Sequence, residues 1–155
     1  MCYYTSCNNA NGGKTLMAEK KTVFLTGASG HMGWAGFKEL YSKKDKLNIV
    51  LLLRDSEKNR KKFANYLNDP SVKIVWGDLK KYDDVLKCVE GSDYVLHVGG
   101  MVSPSADYYP TKTIQTNTTA AKNIVDAVKA QPNKDDIKVV YIGTVAQTGD
   151  RNAPI

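Results

Sequence analysis

The chain has 155 residues, 42% hydrophobic and 25% charged, with 12 glycines and 5 prolines, which fits one soluble globular domain and excludes a disordered or fibrous chain. No apolar run approaches the roughly 18 residues of a membrane-spanning helix, and the segment before Lys20 lacks the apolar stretch of a secretory signal, so a cytoplasmic protein without a membrane partner is expected. The formal charge of +6 comes from scattered basic residues (Lys20/Lys21, Lys43/Lys44/Lys46, Lys58 to Lys62, Lys80/Lys81), which read as solvated faces and not as a nucleic-acid footprint.

Residues 1 to 18 are rich in Asn, Gly and Thr without periodicity and are expected to be a disordered extension, with the folded domain spanning 20 to 155. Within them Gly12-Gly13-Lys14-Thr15 imitates the end of a P-loop, but the glycine required five places before Gly13 is Asn8, and no strand precedes it. From Thr22 onward, short runs rich in Val, Ile and Leu (Thr22 to Thr26, Ile49 to Leu53, Val72 to Trp76, Tyr94 to Val98, Val139 to Ile142) predict five strands of a parallel sheet covered on both faces. Between them Met32 to Tyr41, Ser56 to Leu67, Asp83 to Val89 and Thr113 to Ala130 carry apolar residues three and four apart, the spacing of helices. Strand alternating with helix predicts a Rossmann-type, doubly wound α/β domain. Gly99 to Lys112, with Pro104 and Pro110, reads as a long loop at the carboxyl edge, either a ligand contact or a bare connection.

Cys2, Cys7 and Cys88 are odd in number, match no zinc or redox spacing and have only two histidines to help them, so reduced thiols and no metal are expected.

The strongest motif is Thr26-Gly27-Ala28-Ser29-Gly30-His31-Met32-Gly33, which leaves an apolar strand and enters a helix. Glycine permits the tight turn, a missing side chain lets backbone approach a pyrophosphate, and the helix start presents free N–H groups and a positive dipole end. Gly27, Ser29, Gly30, His31, Met32 and Gly33 are therefore candidate pyrophosphate contacts. Arg54 follows the second strand, 21 residues beyond Gly33. At that distance an acidic residue would bind the ribose 2′-hydroxyl of NAD, whereas arginine accommodates the 2′-phosphate of NADP. NADP is the expected cofactor and NAD the alternative, because Asp55 follows directly and could turn inward; Lys58, Arg60 and Lys61 add positive charge nearby.

Taken in order, these residues resemble the extended short-chain dehydrogenase/reductases, the family of sugar-nucleotide epimerases and dehydratases and of dihydroflavonol-reductase-like carbonyl reductases. The resemblance runs from Thr22 to the C-terminus. It implies that Asp78 and Leu79 of Gly77-Asp78-Leu79 contact adenine, that Gly99 and Gly100 of His97-Val98-Gly99-Gly100 lie against the adenosine, and that Asn117 of Asn117-Thr118-Thr119 helps organise the site. It also implies that Thr144, after the fifth strand, hydrogen-bonds the substrate oxygen, although the family usually has two serines where this chain has Gly143-Thr144. The plainer readings are an Asp78 that caps a turn, ordinary satisfied histidines at 31 and 97, and a threonine that merely ends a strand.

The family's catalytic Tyr and Lys, four residues apart, would come after Ile155; Tyr108 and Lys112 have that spacing but lie ahead of Asn117, in the segment with Pro110, and read as a coincidence. If no other chain supplies the rest, dinucleotide binding without turnover is expected, and a half-sheet would expose an edge consistent with a homo-oligomer or low solubility. The resemblance implies an NADP(H)-dependent oxidoreductase acting by hydride transfer; the alternatives are an NAD-dependent sugar-nucleotide epimerase or dehydratase and a non-catalytic dinucleotide sensor.

Overall fold

The computed structural model describes residues 19–143, so the predicted extension at 1 to 18 and Thr144 lie outside the described residues. The element order is β1 (Lys21–Thr26), α1 (His31–Ser42), β2 (Leu47–Leu53), α2 (Glu57–Phe63) continued by a 3₁₀ turn (Ala64–Tyr66), β3 (Val72–Trp76), α3 (Tyr82–Val89), β4 (Tyr94–His97), α4 (Ser105–Tyr108), α5 (Pro110–Lys129) and β5 (Lys138–Tyr141). All strand pairs are parallel, in the order β3-β2-β1-β4-β5. This is the predicted doubly wound Rossmann-like sheet.

Period-two alternation in the central strands divides two cores between the faces. Phe24, Val50, Leu52 and Val95 point to one face, where Val85, Cys88 and Val89 of α3 and Ile124 and Ala127 of α5 cover them. Leu25, Ile49, Leu51 and Leu53 point to the other, against Phe37 of α1 and Phe63 of α2. On that second face Trp34, Phe37, Tyr41, Phe63 and Tyr66 form an aromatic cluster, with edge-on contacts such as Phe37–Tyr66 at 4.8 Å and Trp34–Phe63 at 5.4 Å between ring centroids. Edge-to-face pairs favour one mutual orientation, so the cluster fixes α2 relative to α1 and with it the basic residues that α2 carries.

Two expectations change. The segment from Gly99 to Lys112 is not a continuous loop: Ser105–Tyr108 forms a helical turn and α5 begins at Pro110. Proline lacks an N–H that the first helical position would leave unbonded anyway, so Pro110, expected in the loop, instead starts α5, three residues ahead of the predicted Thr113. The fifth strand is not covered on both faces either. Val139, Val140 and Tyr141 are exposed, because α3 and α5 are laid over the inner strands, at Phe24, Val50, Leu52 and Val95, and not over β5. No helix among the described residues is long and apolar enough to cross a membrane.

Candidate functional site

The strand order reverses direction between β1 and β4, and a doubly wound sheet opens a crevice outside the carboxyl ends of its strands at such a point. Four segments leave those ends side by side: the glycine turn after β1, Arg54 after β2, Gly77-Asp78 after β3, and Val98 to Gly100 after β4.

The glycine turn is built by exclusion of side chains. Gly27 has φ of +73°, in the left-handed region, and a Cβ there would stand 2.7 Å from the Gly99 backbone. A Cβ on Gly33 would collide with the Gly27 carbonyl, so the start of α1 lies directly against the turn. A Cβ on Gly30 would meet only the Gly27 carbonyl, at 3.4 Å; Gly30, His31 and Met32 are exposed. The Gly30 amide donates to the Gly27 carbonyl at 2.9 Å. Gly30 is the N-cap of α1 and supplies no capping side chain, and no acidic residue stands in the first turn. The first amides and the positive end of α1 are therefore available to an anion, and the residues present fit a pyrophosphate.

Thr26, the last residue of β1, joins the two glycine segments. Its hydroxyl oxygen accepts from the backbone N–H of Val98 at 3.1 Å and of Gly99 at 2.9 Å. With both lone pairs engaged, its proton goes to Nδ1 of His97, 2.8 Å away. His97 is buried and thereby held neutral, its pKa pushed below the ordinary histidine value by burial. His97 Nδ1 is thus partnered by Thr26, as the ordinary reading of a hydrogen-bonded histidine expects. His31 is exposed on the first turn of α1.

Arg54 is exposed and forms a wall of two clefts. One, of about 560 Å³, is lined by Ser29, Gly30, Arg54, Asp55, Ser56, Lys58 and Asn59. The other, of about 360 Å³, runs from Arg54 to Gly100, Met101, Ser103 and Lys112. Asp55, which could have competed with Arg54 for the ribose, is engaged elsewhere: its two carboxylate oxygens accept from Nε and Nη2 of Arg60 at 2.6 and 2.7 Å. The Arg60 guanidinium holds the Asp55 carboxyl below its usual pKa and itself lies 4.9 Å from the centre of the Trp76 ring. Arg54 forms no ion pair among the described residues. Ser56 caps α2 by accepting from the Asn59 amide at 3.2 Å, and the Asn59 side chain donates to the Arg54 carbonyl at 2.7 Å, which fixes the backbone that carries the guanidinium.

Asp78 does cap a turn, accepting from the Lys80 amide at 2.9 Å, while its own amide donates to Asp84 at 3.1 Å. That capping occupies one carboxylate oxygen; the other lies 3.9 Å from Lys80. The carbonyl of Leu79 accepts from the buried Asn123 side chain at 2.8 Å, tying this segment to α5. Asn117 acts through the chain beside it: its amide donates to the Met101 carbonyl at 3.0 Å and its oxygen accepts from the Met101 N–H at 2.8 Å. It thus pins the segment after Gly100, and both ends of its amide are already used. Tyr108 and Lys112 lie on different helices, α4 and α5, and Tyr108 is exposed.

Three residues that support the site were not singled out in the sequence. In the sequence Thr26 reads as the end of a strand and the head of the motif, Asn123 as one polar position of the helix from Thr113 to Ala130, and Lys62 as part of a solvated cluster, although it donates to the Ser29 carbonyl. Among the described residues no cluster of His, Cys, Asp and Glu could hold a metal.

Residues 23–155 match the model of the NAD dependent epimerase/dehydratase family. The chain is 32% identical over 128 residues to a UDP-glucose 4-epimerase from Rickettsia bellii (strain RML369-C) and 30% identical over the same length to one from Rickettsia felis, in each case covering 80% of this chain and 36% of the relative. The chain thus spans about a third of the length of these curated relatives. Among solved structures it is similar to Bordetella bronchiseptica WbmH in complex with NAD+, with a TM-score of 0.65, 22% identity, and coverage of 84% of this chain and 41% of that one. A short chain dehydrogenase/reductase from Saccharomyces cerevisiae gives a TM-score of 0.66 at 17% identity, covering 81% of this chain and 54% of that one. These likenesses establish the fold.

Proposed function

The chain belongs to the NAD dependent epimerase/dehydratase family, and from that premise we propose that it is the NADP(H)-binding N-terminal part of an oxidoreductase that reduces a carbonyl or oxidises an alcohol. Gly27, Ser29, Gly30, His31, Met32 and Gly33 hold the pyrophosphate, Asp78 and Leu79 the adenine, and Gly99 and Gly100 the adenosine, while Asn117 positions the segment after Gly100. The dinucleotide supplies the hydride chemistry; Thr144 is assigned to the substrate oxygen.

The observation that carries the choice of NADP(H) is the division of labour after β2. Asp55 is held by Arg60, and Arg54 keeps its charge free at a cleft it shares with Ser29, Gly30 and Lys58. A 2′-phosphate there meets a planar guanidinium that can bind two of its oxygens at once. A ribose with a free 2′-hydroxyl finds no unengaged carboxylate at that place among the described residues.

A second reading is an NAD-dependent sugar-nucleotide epimerase, favoured by the match to UDP-glucose 4-epimerases. Titration of the purified chain with NADPH and NADH separates the two. The first reading expects tighter NADPH, and Arg54→Ala to weaken NADPH roughly ten- to a hundredfold, the worth of about 1.5–3 kcal/mol for hydrogen bonds to a charged group, with NADH nearly unchanged. Equal affinities, or tighter NADH, in the unaltered chain would favour the epimerase.

A further inference from the structure

The Ser29–Gly30 peptide is gripped at both ends. Its N–H donates to the Gly27 carbonyl at 2.9 Å, and its carbonyl accepts from the ammonium of Lys62 at 2.9 Å. Lys62 comes from α2, in the next βα unit, 33 residues along the chain. Its Nζ lies 4.3 Å from the centre of the Trp34 ring of α1, a cation–π contact that a half-buried ammonium can use in place of water. Partial burial, and then the charge of Lys58, pull the Lys62 pKa below the ordinary lysine value. No carboxylate pairs with it among the described residues; its acceptor is the turn itself.

We propose that Lys62 is a positioning residue, which clamps the Ser29–Gly30 peptide from α2 and so holds the first amides of α1 towards the pyrophosphate before the dinucleotide arrives. This rests on the reading of the glycine turn as the pyrophosphate site. The geometry separates Lys62 from Arg54 and Lys58. Those two line the cleft beside the turn, whereas Lys62 reaches the turn from behind and does not line that cleft. Arg54 would choose between NADP(H) and NAD(H); Lys62 serves what the two dinucleotides share. Rotation of the Ser29–Gly30 peptide would turn the chain just ahead of the His31 and Met32 amides, and a ligand would then have to order the turn on binding.

Lys62→Met, with Lys62→Gln as a second variant, removes the charge while leaving an unbranched stem over Trp34; Lys62→Arg keeps a charged donor. Calorimetric titration of the full chain with NADPH and NADH, and amide hydrogen exchange at residues 27 to 33 without ligand, give independent readouts. Lys62→Met is expected to weaken both dinucleotides by the same factor, about tenfold for loss of one charge-assisted hydrogen bond, and to speed exchange in the turn, with Lys62→Arg restoring both. Loss of NADPH affinity alone would overturn the proposal and make Lys62 a direct phosphate ligand. Unchanged affinity in a variant that binds, or unchanged exchange in the turn, would overturn it as well. If the unaltered chain bound neither dinucleotide, the reading of the site would fail, and exchange alone would decide the clamp.

Discussion

Replacing Thr26 by Val tests whether the two glycine segments are held together by one hydroxyl. Valine keeps the shape of threonine in a position with no solvent exposure, so no cavity opens, but the Val98 and Gly99 amides lose an acceptor and His97 Nδ1 loses its donor. An intramolecular hydrogen bond contributes about 0.5–1.5 kcal/mol net, and a buried group left without a partner costs about 1–3 kcal/mol. Val98 and Gly99 are half-buried, so water can replace part of what they lose, whereas His97 is buried. The expected destabilisation is therefore about 2–4 kcal/mol, around the lower end of the three summed penalties, about 3 kcal/mol, because water offsets part of the loss at the two amides. For a chain of this size each kcal/mol moves Tm by about 2–4 °C, so a mid-range loss of about 3 kcal/mol lowers Tm by about 6 to 12 °C. Urea unfolding near neutral pH measures the loss, with Thr26→Ser, which retains the hydroxyl, as the control. A Thr26→Val protein within about 0.5 kcal/mol of the unaltered chain, or a Thr26→Ser protein equally damaged, would refute the reasoning.

Stability should fall as the pH drops below about 6.5, because the unfolded chain then takes up a proton at His97 that the buried imidazole resists; the unfolded state binds more protons in that window, so unfolding is favoured. His97→Asn should flatten this limb in urea midpoints taken between pH 7.5 and 5, and an unaltered slope would count against it. A second acid limb should begin near pH 4: Asp69 is held well below the usual carboxylate range, first by the Lys44 hydrogen bond and then by the Ser71 amide and the Tyr41 hydroxyl, so its contribution is lost as pH falls toward that depressed value. Asp69→Asn should shallow that limb in urea midpoints taken between about pH 5 and 3 without abolishing it, because Asp55 is also held low by Arg60; an unaltered slope would count against the assignment. Burial pushes the Cys88 thiol up to about 12, so in a Cys2→Ser/Cys7→Ser background it should react with an alkylating reagent at pH 8 only as fast as the core opens; prompt reaction in the folded protein would contradict its burial.

The fold was legible where a local pattern decides it. The run Leu51-Leu52-Leu53 carries no polar alternation because β2 is buried on both faces, and Phe37 and Phe63 mark the buried stripes of α1 and α2. It was less legible where the same residue type has two uses. Pro110 suggests a break in the chain, and only the helix behind it shows that the proline occupies a first turn. Val139 and Val140 read as core, yet what buries a strand is the layer laid over it, which is a property of other segments and not of the strand's composition.

The site divides along the same line. Gly27, Gly30 and Gly33 were found because each answers a local steric demand that their spacing records. The groups that hold the turn in place answer to partners far along the chain: Thr26 to Val98 and Gly99, Lys62 to Ser29, Asn117 to Met101, Asn123 to Leu79. No periodicity encodes such pairs. The ambiguity at Arg54 and Asp55 is the sharpest instance. The two are adjacent, both are exposed, and either could face a ribose; what separates them is Arg60, five residues beyond Asp55 on the first helical turns of α2, whose guanidinium engages both Asp55 oxygens. A charge that binds a ligand must be left unspent by the fold, and that surplus becomes visible only once every neighbouring pair has been assigned. Arg60→Ala therefore bears on cofactor choice without touching the crevice: it frees the Asp55 carboxylate to compete for the ribose and to neutralise Arg54, and should narrow the NADPH-to-NADH preference that Arg54 is proposed to create.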